Sequence, residues 1–299
     1  MTPAFREAGA ADSRMCHRIF RASLWNYMGR TGYVPAGEPQ PDVEEHWGRS
    51  AKLFEHLAAT AAHWWIAEDD EGRAVGYARS TQRGDVLELT EFFVMPDARL
   101  SGVGRGLLER AFPPGAGPHR AIIATFDAPA VALYLRFGVA HQTTFADVAG
   151  TPRRVDVPPA YDVQAATLGE VLAMEASLLG HGRPQDVSYM LGDRPGVVLR
   201  RDGRPVAYAF GPNAHGFAGP IGALDPADLP AALAYVEHAA FDAGAERLDL
   251  TVPLGASTAI DWLLVDRGFR LDPFYALFLA DGPWAKLDRY LPFNPCLIL

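Results

Sequence analysis

The chemistry of this 299-residue chain concentrates in residues 94–106, Val94-Met95-Pro96-Asp97-Ala98-Arg99-Leu100-Ser101-Gly102-Val103-Gly104-Arg105-Gly106. A run with strand character ends at Val94, and Pro96 cannot donate to a β-ladder, so pairing stops there. The bare positions Gly102, Gly104 and Gly106 let main-chain N–H groups, including those of Ser101, Val103 and Arg105, converge without side chains in the way. The positive end of a helix beginning there adds to those donors, and Arg99 and Arg105 bring charge, which makes a site for a diphosphate. The spacing is not G-x-G-x-x-G, and no Lys-Ser/Thr follows the last glycine, so a P-loop does not fit. Two carboxylates, Glu88 and Glu91, precede the loop on the strand. Their odd separation puts them on opposite faces unless a bulge intervenes.

The elements that must position these groups follow from periodicity. Helices are expected over residues 12–27, 43–60, 104–111 and 129–137, and strands over 63–68, 74–80, 86–94 and 121–125. Hairpin strands followed by strand–helix alternation predict a mixed α/β sheet flanked by helices. Hydrophobic residues make up 49% of the chain, enough for packed cores, and its length suggests two domains. The net charge of −9, with no basic run, argues against a nucleic-acid partner. There is no signal-peptide pattern and no apolar run long enough to span a bilayer, so a soluble, cytoplasmic chain without a membrane partner is expected. Cys16 and Cys296 form no framework, and the histidines show no metal spacing, so no metal is expected.

Val94, Pro96, Arg99, Gly102 and Gly104 together resemble the coenzyme A loop of the GNAT superfamily of N-acetyltransferases. A second stretch, Asp127-Ala128-Pro129-Ala130-Val131-Ala132-Leu133-Tyr134-Leu135-Arg136-Phe137-Gly138-Val139, is similar to that family's N-x-x-A-x-x-L-Y-x-x-x-G-F, with Asp127 in place of Asn and Val139 in place of Phe. The resemblance implies acetyl-CoA as co-substrate and direct transfer to a small-molecule or peptide amine. It places the pantetheine arm between splayed fourth and fifth strands, here residues 86–94 and 121–125. A main-chain N–H near Phe93 or Val94 would hold the thioester oxygen. The loop residues, with Asp127 and Ala130 of the second motif, would contact the coenzyme. Tyr134 becomes the acid for the leaving thiolate. Glu88 is preferred over Glu91 as base, with ordered water as the further option. Trp25, Tyr27, Tyr33 and Trp47 suit either packing or an amine cage beside the acceptor. A non-catalytic acyl-CoA sensor or protein-binding module on the same fold is the alternative.

The text repeats. Residues 71–78 are echoed by 202–209, and 94–112 by 223–241, which suggests two tandem GNAT-type domains, 1–150 and 162–299, joined by a proline-rich linker, 151–161. Opposite Arg99, Gly102, Gly104 and Tyr134 stand Asp228, Ala231, Leu233 and Leu264. The second domain is therefore expected to be a scaffold or an acceptor-site wall. The apolar tail of 288–299 is expected to pack as a terminal strand or against the first half.

Overall fold

The computed structural model describes residues 3–35, 37–98, 102–115 and 117–293. Contacts divide the chain into two units, one holding residues up to 122 and 127–140, the other 123–126 and everything from 141 onward.

The first unit is built from β1 (Ala4–Glu7), α1 (Ser13–Thr31), α2 (Val43–Ala59), β2 (Ala61–Glu68), β3 (Ala74–Arg83), β4 (Val86–Val94), α3 (Val103–Ala111), β5 (His119–Thr125) and α4 (Ala128–Arg136). β1 was not anticipated, because four residues are too few to show a period. α1 outruns its expected end by a turn because Gly32 accepts the left-handed conformation (φ 78°) that closes a helix. α2 starts where the Asp42 carboxylate accepts the N–H groups of Glu44 and Glu45. The strands run in the order β1-β2-β3-β4-β5. Neighbours are antiparallel except β4 and β5, which are parallel, so the sheet is mixed as expected.

Alternation along β3 assigns the two faces. Tyr77 packs with Cys16 and Ile19 of α1 and with Trp64 and Ile66. A Cβ on Gly76 would meet Leu107 of α3, and Ser80 Oγ donates to the carbonyl of Ala111 (2.7 Å). One face of the sheet thus carries α1, and the other carries α3.

The second unit comprises β6 (Ala140–Gly150), β7 (Asp162–Ala165), α5 (Leu168–Leu179), α6 (Pro184–Asp193), β8 (Gly196–Arg201), β9 (Arg204–Phe210), β10 (Ile221–Ala223), α7 (Leu229–Asp242), β11 (Leu248–Pro253), α8 (Ser257–Ile260), a π-helical stretch (Asp261–Asp266), β12 (Arg270–Ala280) and β13 (Tyr290–Leu291). The order from β7 to β12 repeats that from β1 to β6, the structural counterpart of the repeated text. Sequence reading ends the first domain at 150, whereas by contacts β6 lies almost wholly in the second unit, paired with β11 from Phe145↔Pro253 to Gly150↔Leu248. Residues 151–161 form no strand or helix. An apolar cluster of its core packs Leu229, Ala232, Leu233 and Val236 of α7 with Leu199, Ala207, Ala209 and Leu250, and charged side chains such as the Arg183–Glu175 ion pair are buried in the same unit. Among the described residues, no helix is long and apolar enough to cross a membrane.

Candidate active site

β4 is the strand on which the site is hung. Its pairing with β3 shifts by one residue: Arg79 faces Glu91, the next residue Ser80 faces Leu89, and Thr90 is the extra residue. The Thr90 hydroxyl donates to the carbonyl of Arg79 (3.0 Å) within this bulge. The bulge reverses the strict alternation. Glu88 lies opposite Thr81 and Glu91 opposite Arg79, two positions apart on β3, so both glutamates share the α1 face. Toward β5 the register runs from Val86↔His119 to Leu89↔Ile122 and ends there.

Main-chain direction at the end of β4 is fixed by one bond. Met95 N–H donates to the carbonyl of Val75 (2.8 Å), so in antiparallel alternation Phe93 also points its N–H to β3, and Val94 points its N–H and C=O away. The carbonyl of Val94 is taken on that side by the hydroxyl of Ser23 from α1 (3.1 Å). Of the two amides expected near the thioester, Val94 offers a donor and Phe93 does not. The Phe93 side chain packs edge-on against Phe20 of α1, 4.9 Å between centroids.

Past the strand, Gly102 caps α3 in the left-handed conformation (φ 85°), with no atom of a described residue beyond its chain neighbours within 4 Å of where a Cβ would stand. The first intrahelical bond runs from Gly106 N–H to the carbonyl of Gly102 (3.1 Å). Val103, Gly104 and Arg105 therefore present first-turn N–H groups with no partner among the described residues, an arrangement suited to a phosphate. Gly106 departs from expectation. Its N–H is spent, and a Cβ there would lie 2.3 Å from the Phe5 ring, so packing explains this glycine. Gly104 has a milder constraint, 3.2 Å from Phe92. Val103 turns its side chain into the core, while Arg105 pairs with Glu109 (2.8 Å) on the exposed face. Arg99 and Ser101 lie outside the described residues.

Tyr134 sits on α4, buried to 5% exposure, with its ring edge-on to Phe92 at 5.9 Å. Burial first, then the nearby Asp127 carboxylate, raises its phenol well above the ordinary tyrosine range. Asp127 occupies the N-cap position of α4, but its carboxylate caps nothing; it accepts from Arg30 of α1 (3.2 Å) instead. Ala130 is half-buried in the first turn of the same helix.

On the α1 face Glu91 is fully committed. Its two oxygens take the Arg79 guanidinium and the Tyr77 hydroxyl (2.9 Å), with both members of the ion pair essentially unexposed. Arg79 in turn stacks over Trp64, 4.6 Å to the ring centre. The Glu91 carboxylate is thus held in a buried ion pair, and Glu88, on the same face, is buried at 2% exposure. The early aromatics are packed: Trp47 meets His17 edge-on and lies against Phe54, and Tyr27 stacks with Tyr33. Ser23, Arg79 and the Thr90 bulge escaped sequence reading, since each acts through a contact far away in the chain.

The matching positions of the second unit are filled. Asp228, just before α7, accepts Tyr161 OH (2.7 Å) and an N–H of Arg201 (2.5 Å), so a carboxylate holds the helix start where a phosphate would sit. Ala231 and Leu233 are buried. The edge of β10 is covered by β13, with Ile221↔Leu291 and Gly222↔Tyr290 in register, so the tail begins as a strand; residues 294–299 lie outside the described residues.

Comparison with known proteins agrees with this geometry. Residues 22–139 match the family described as the acetyltransferase (GNAT) family. No curated protein matches the sequence. Among solved structures, a candidate acetyltransferase from Pyrococcus horikoshii superposes with a TM-score of 0.72 at 14% identity, covering 99% of this chain and 96% of its own. A GCN5-related N-acetyltransferase from Sphaerobacter thermophilus gives 0.61 at 16% identity, covering 96% and 98%. A tandem GNAT protein from the clavulanic acid biosynthesis pathway gives 0.54 at 14%, covering 94% and 99%. At such identities the likeness is one of fold.

Proposed function

Because residues 22–139 are a GNAT-family acetyltransferase domain, a family and fold that support acyltransfer in general, we propose that this chain moves an acetyl group from acetyl-CoA to an amine. The observation that carries the reading is the turn of the Val94 peptide away from β3, with the first turn of α3 beyond it offering N–H donors that have no partner among the described residues. A thioester supplies an activated acyl group and a good leaving thiolate. The chain's own residues do the rest. The N–H groups of Val103, Gly104 and Arg105 hold the diphosphate, and the open space at Gly102 admits it. Val94 N–H is aimed where negative charge develops on the carbonyl oxygen. An aliphatic amine is protonated at neutral pH, with a pKa of about 10, so a base must accept its proton before attack. Glu88 is on the α1 face for that task, and Tyr134 on the opposite side remains protonated to donate toward sulfur.

The degenerate loop, Asp228 and the β13-covered edge of β10 support a non-catalytic second domain. Titration calorimetry with acetyl-CoA, followed by thiol release over a panel of amines, tests the reading. Binding in the micromolar range with amine-dependent thiol release is expected. Binding without release would make the chain an acyl-CoA sensor, and no binding at millimolar ligand would end the assignment.

A further inference from the structure

Arg21 of α1 has a half-buried guanidinium whose Nε is shielded from water, and among the described residues it makes no hydrogen bond or ion pair. Every other arginine of α1 and α2 has an acidic partner. Arg14 and Arg18 share Glu44, Arg30 has Asp127, and Arg49 has Glu45. The surroundings of Arg21 do nothing to neutralise it. His17, one turn earlier on the same flank, is fully buried and bonded ring-to-ring with His46 of α2 (Nε2···Nδ1 2.8 Å), and Phe20, Trp47 and Phe54 close around that pair. Arg49 lies close enough for its charge to repel that of Arg21. Both histidines are held neutral, pushed down to about 4 by burial and then by charges that include Arg21. An uncompensated cation in a part-buried site is costly, and a visiting anion is what repays it.

Location gives the anion its identity. Phe20 packs on Phe93 and Ser23 holds the Val94 carbonyl, so Arg21, about 100° around the helix from Phe20 on the flank toward α2, stands within about 3 Å of helix rise of the level at which α1 meets the end of β4. Resting on the acyltransfer reading, we infer that the acceptor is a compact amine that also bears a carboxylate or phosphate, and that Arg21 binds this anionic group.

Kinetics and stability test the inference separately. A panel of β-alanine, γ-aminobutyrate and phosphoethanolamine should outperform ethanolamine and amino-acid amides in kcat/KM by about ten-fold or more. Arg21→Gln should lower kcat/KM for the anionic amines by about 10- to 100-fold, through KM, and leave the neutral ones unchanged. The β-alanine and phosphoethanolamine arms separate a carboxylate from a phosphate source. Independently, acetate or inorganic phosphate at fixed ionic strength should raise the melting temperature of the native chain by more than that of Arg21→Gln, which keeps the phosphate site at α3, and without anion the variant should melt no lower than the native chain. A preference for neutral or cationic amines, an equal loss on all amines, or a variant that melts lower regardless of anion would overturn the inference. If no amine releases thiol, the acyltransfer reading fails, and the melting arm still decides whether Arg21 binds an anion.

Discussion

Ser23 shows how a single hydroxyl can matter to a reaction it never touches. Buried on α1, it donates to the carbonyl of Val94, whose own N–H points the same way toward the open side of β4. Removing the hydroxyl takes away the partner of a part-buried carbonyl and frees the end of the strand, a loss of about 1 kcal/mol. Ser23→Ala should therefore lower kcat several-fold. Acetyl-CoA affinity by calorimetry should stay unchanged, and Ser23→Thr should restore most of the rate. Tyr134 makes a different prediction. Burial and Asp127 raise its pKa, and a raised phenol keeps its proton to higher pH, so it contributes no alkaline limb to the rate profile up to about pH 10. Tyr134→Phe should reduce turnover under single-turnover conditions and leave coenzyme binding intact. An alkaline limb near pH 8 that disappears in the variant would contradict the neutral-donor role.

The two outer glycines of the loop look alike in the sequence and do different work at the N-terminus of α3. Gly102 needs its left-handed backbone and has empty space around it, whereas Gly106 is pressed against Phe5. Gly102→Ala should cost about 1 kcal/mol of stability and weaken acetyl-CoA binding. Gly106→Ala should cost more stability, about 1–3 kcal/mol for overpacking, with coenzyme affinity measured on the folded fraction near native. The α1–α2 contact carries an acid-sensitive element of its own. His17 and His46 sit at about 4 in the folded chain against about 6.5 unfolded. Between those values the unfolded chain binds more protons, so stability falls as pH drops from 6.5 toward 4. Denaturant midpoints should fall across this window, and in His17→Phe the fall should shrink. Sequence periodicity was enough to place β4, α3 and α4, because each carries a local pattern of strand, glycine or helix. Local patterns could not show that Thr90 bulges and brings Glu88 and Glu91 onto one face, nor that Arg79 claims Glu91. Both depend on the pairing register with β3, which no local pattern encodes.

At the scale of the whole molecule the same order of elements occurs twice, yet the second copy has a carboxylate, Asp228, at its helix start and a strand, β13, along the edge of β10. Substitutions at the second loop were legible as Asp228, Ala231 and Leu233, since a carboxylate and added side chains oppose a diphosphate whatever the fold. The covering of β10 by β13 was legible only as an apolar tail, because its partner strand lies almost seventy residues away, at Ile221–Ala223. The two obstacles are independent, which makes their order testable. Calorimetry should give about one acetyl-CoA per chain for the native protein. Asp228→Gly with Leu233→Gly clears the loop of charge and bulk but leaves β13 hydrogen-bonded along the edge of β10. If strand coverage is the dominant block, the double variant still binds one equivalent. A second equivalent, absent from the native chain, would mean that the carboxylate and the leucine alone keep the second domain silent, and that β13 yields its place to a ligand that pairs with β10 in its stead.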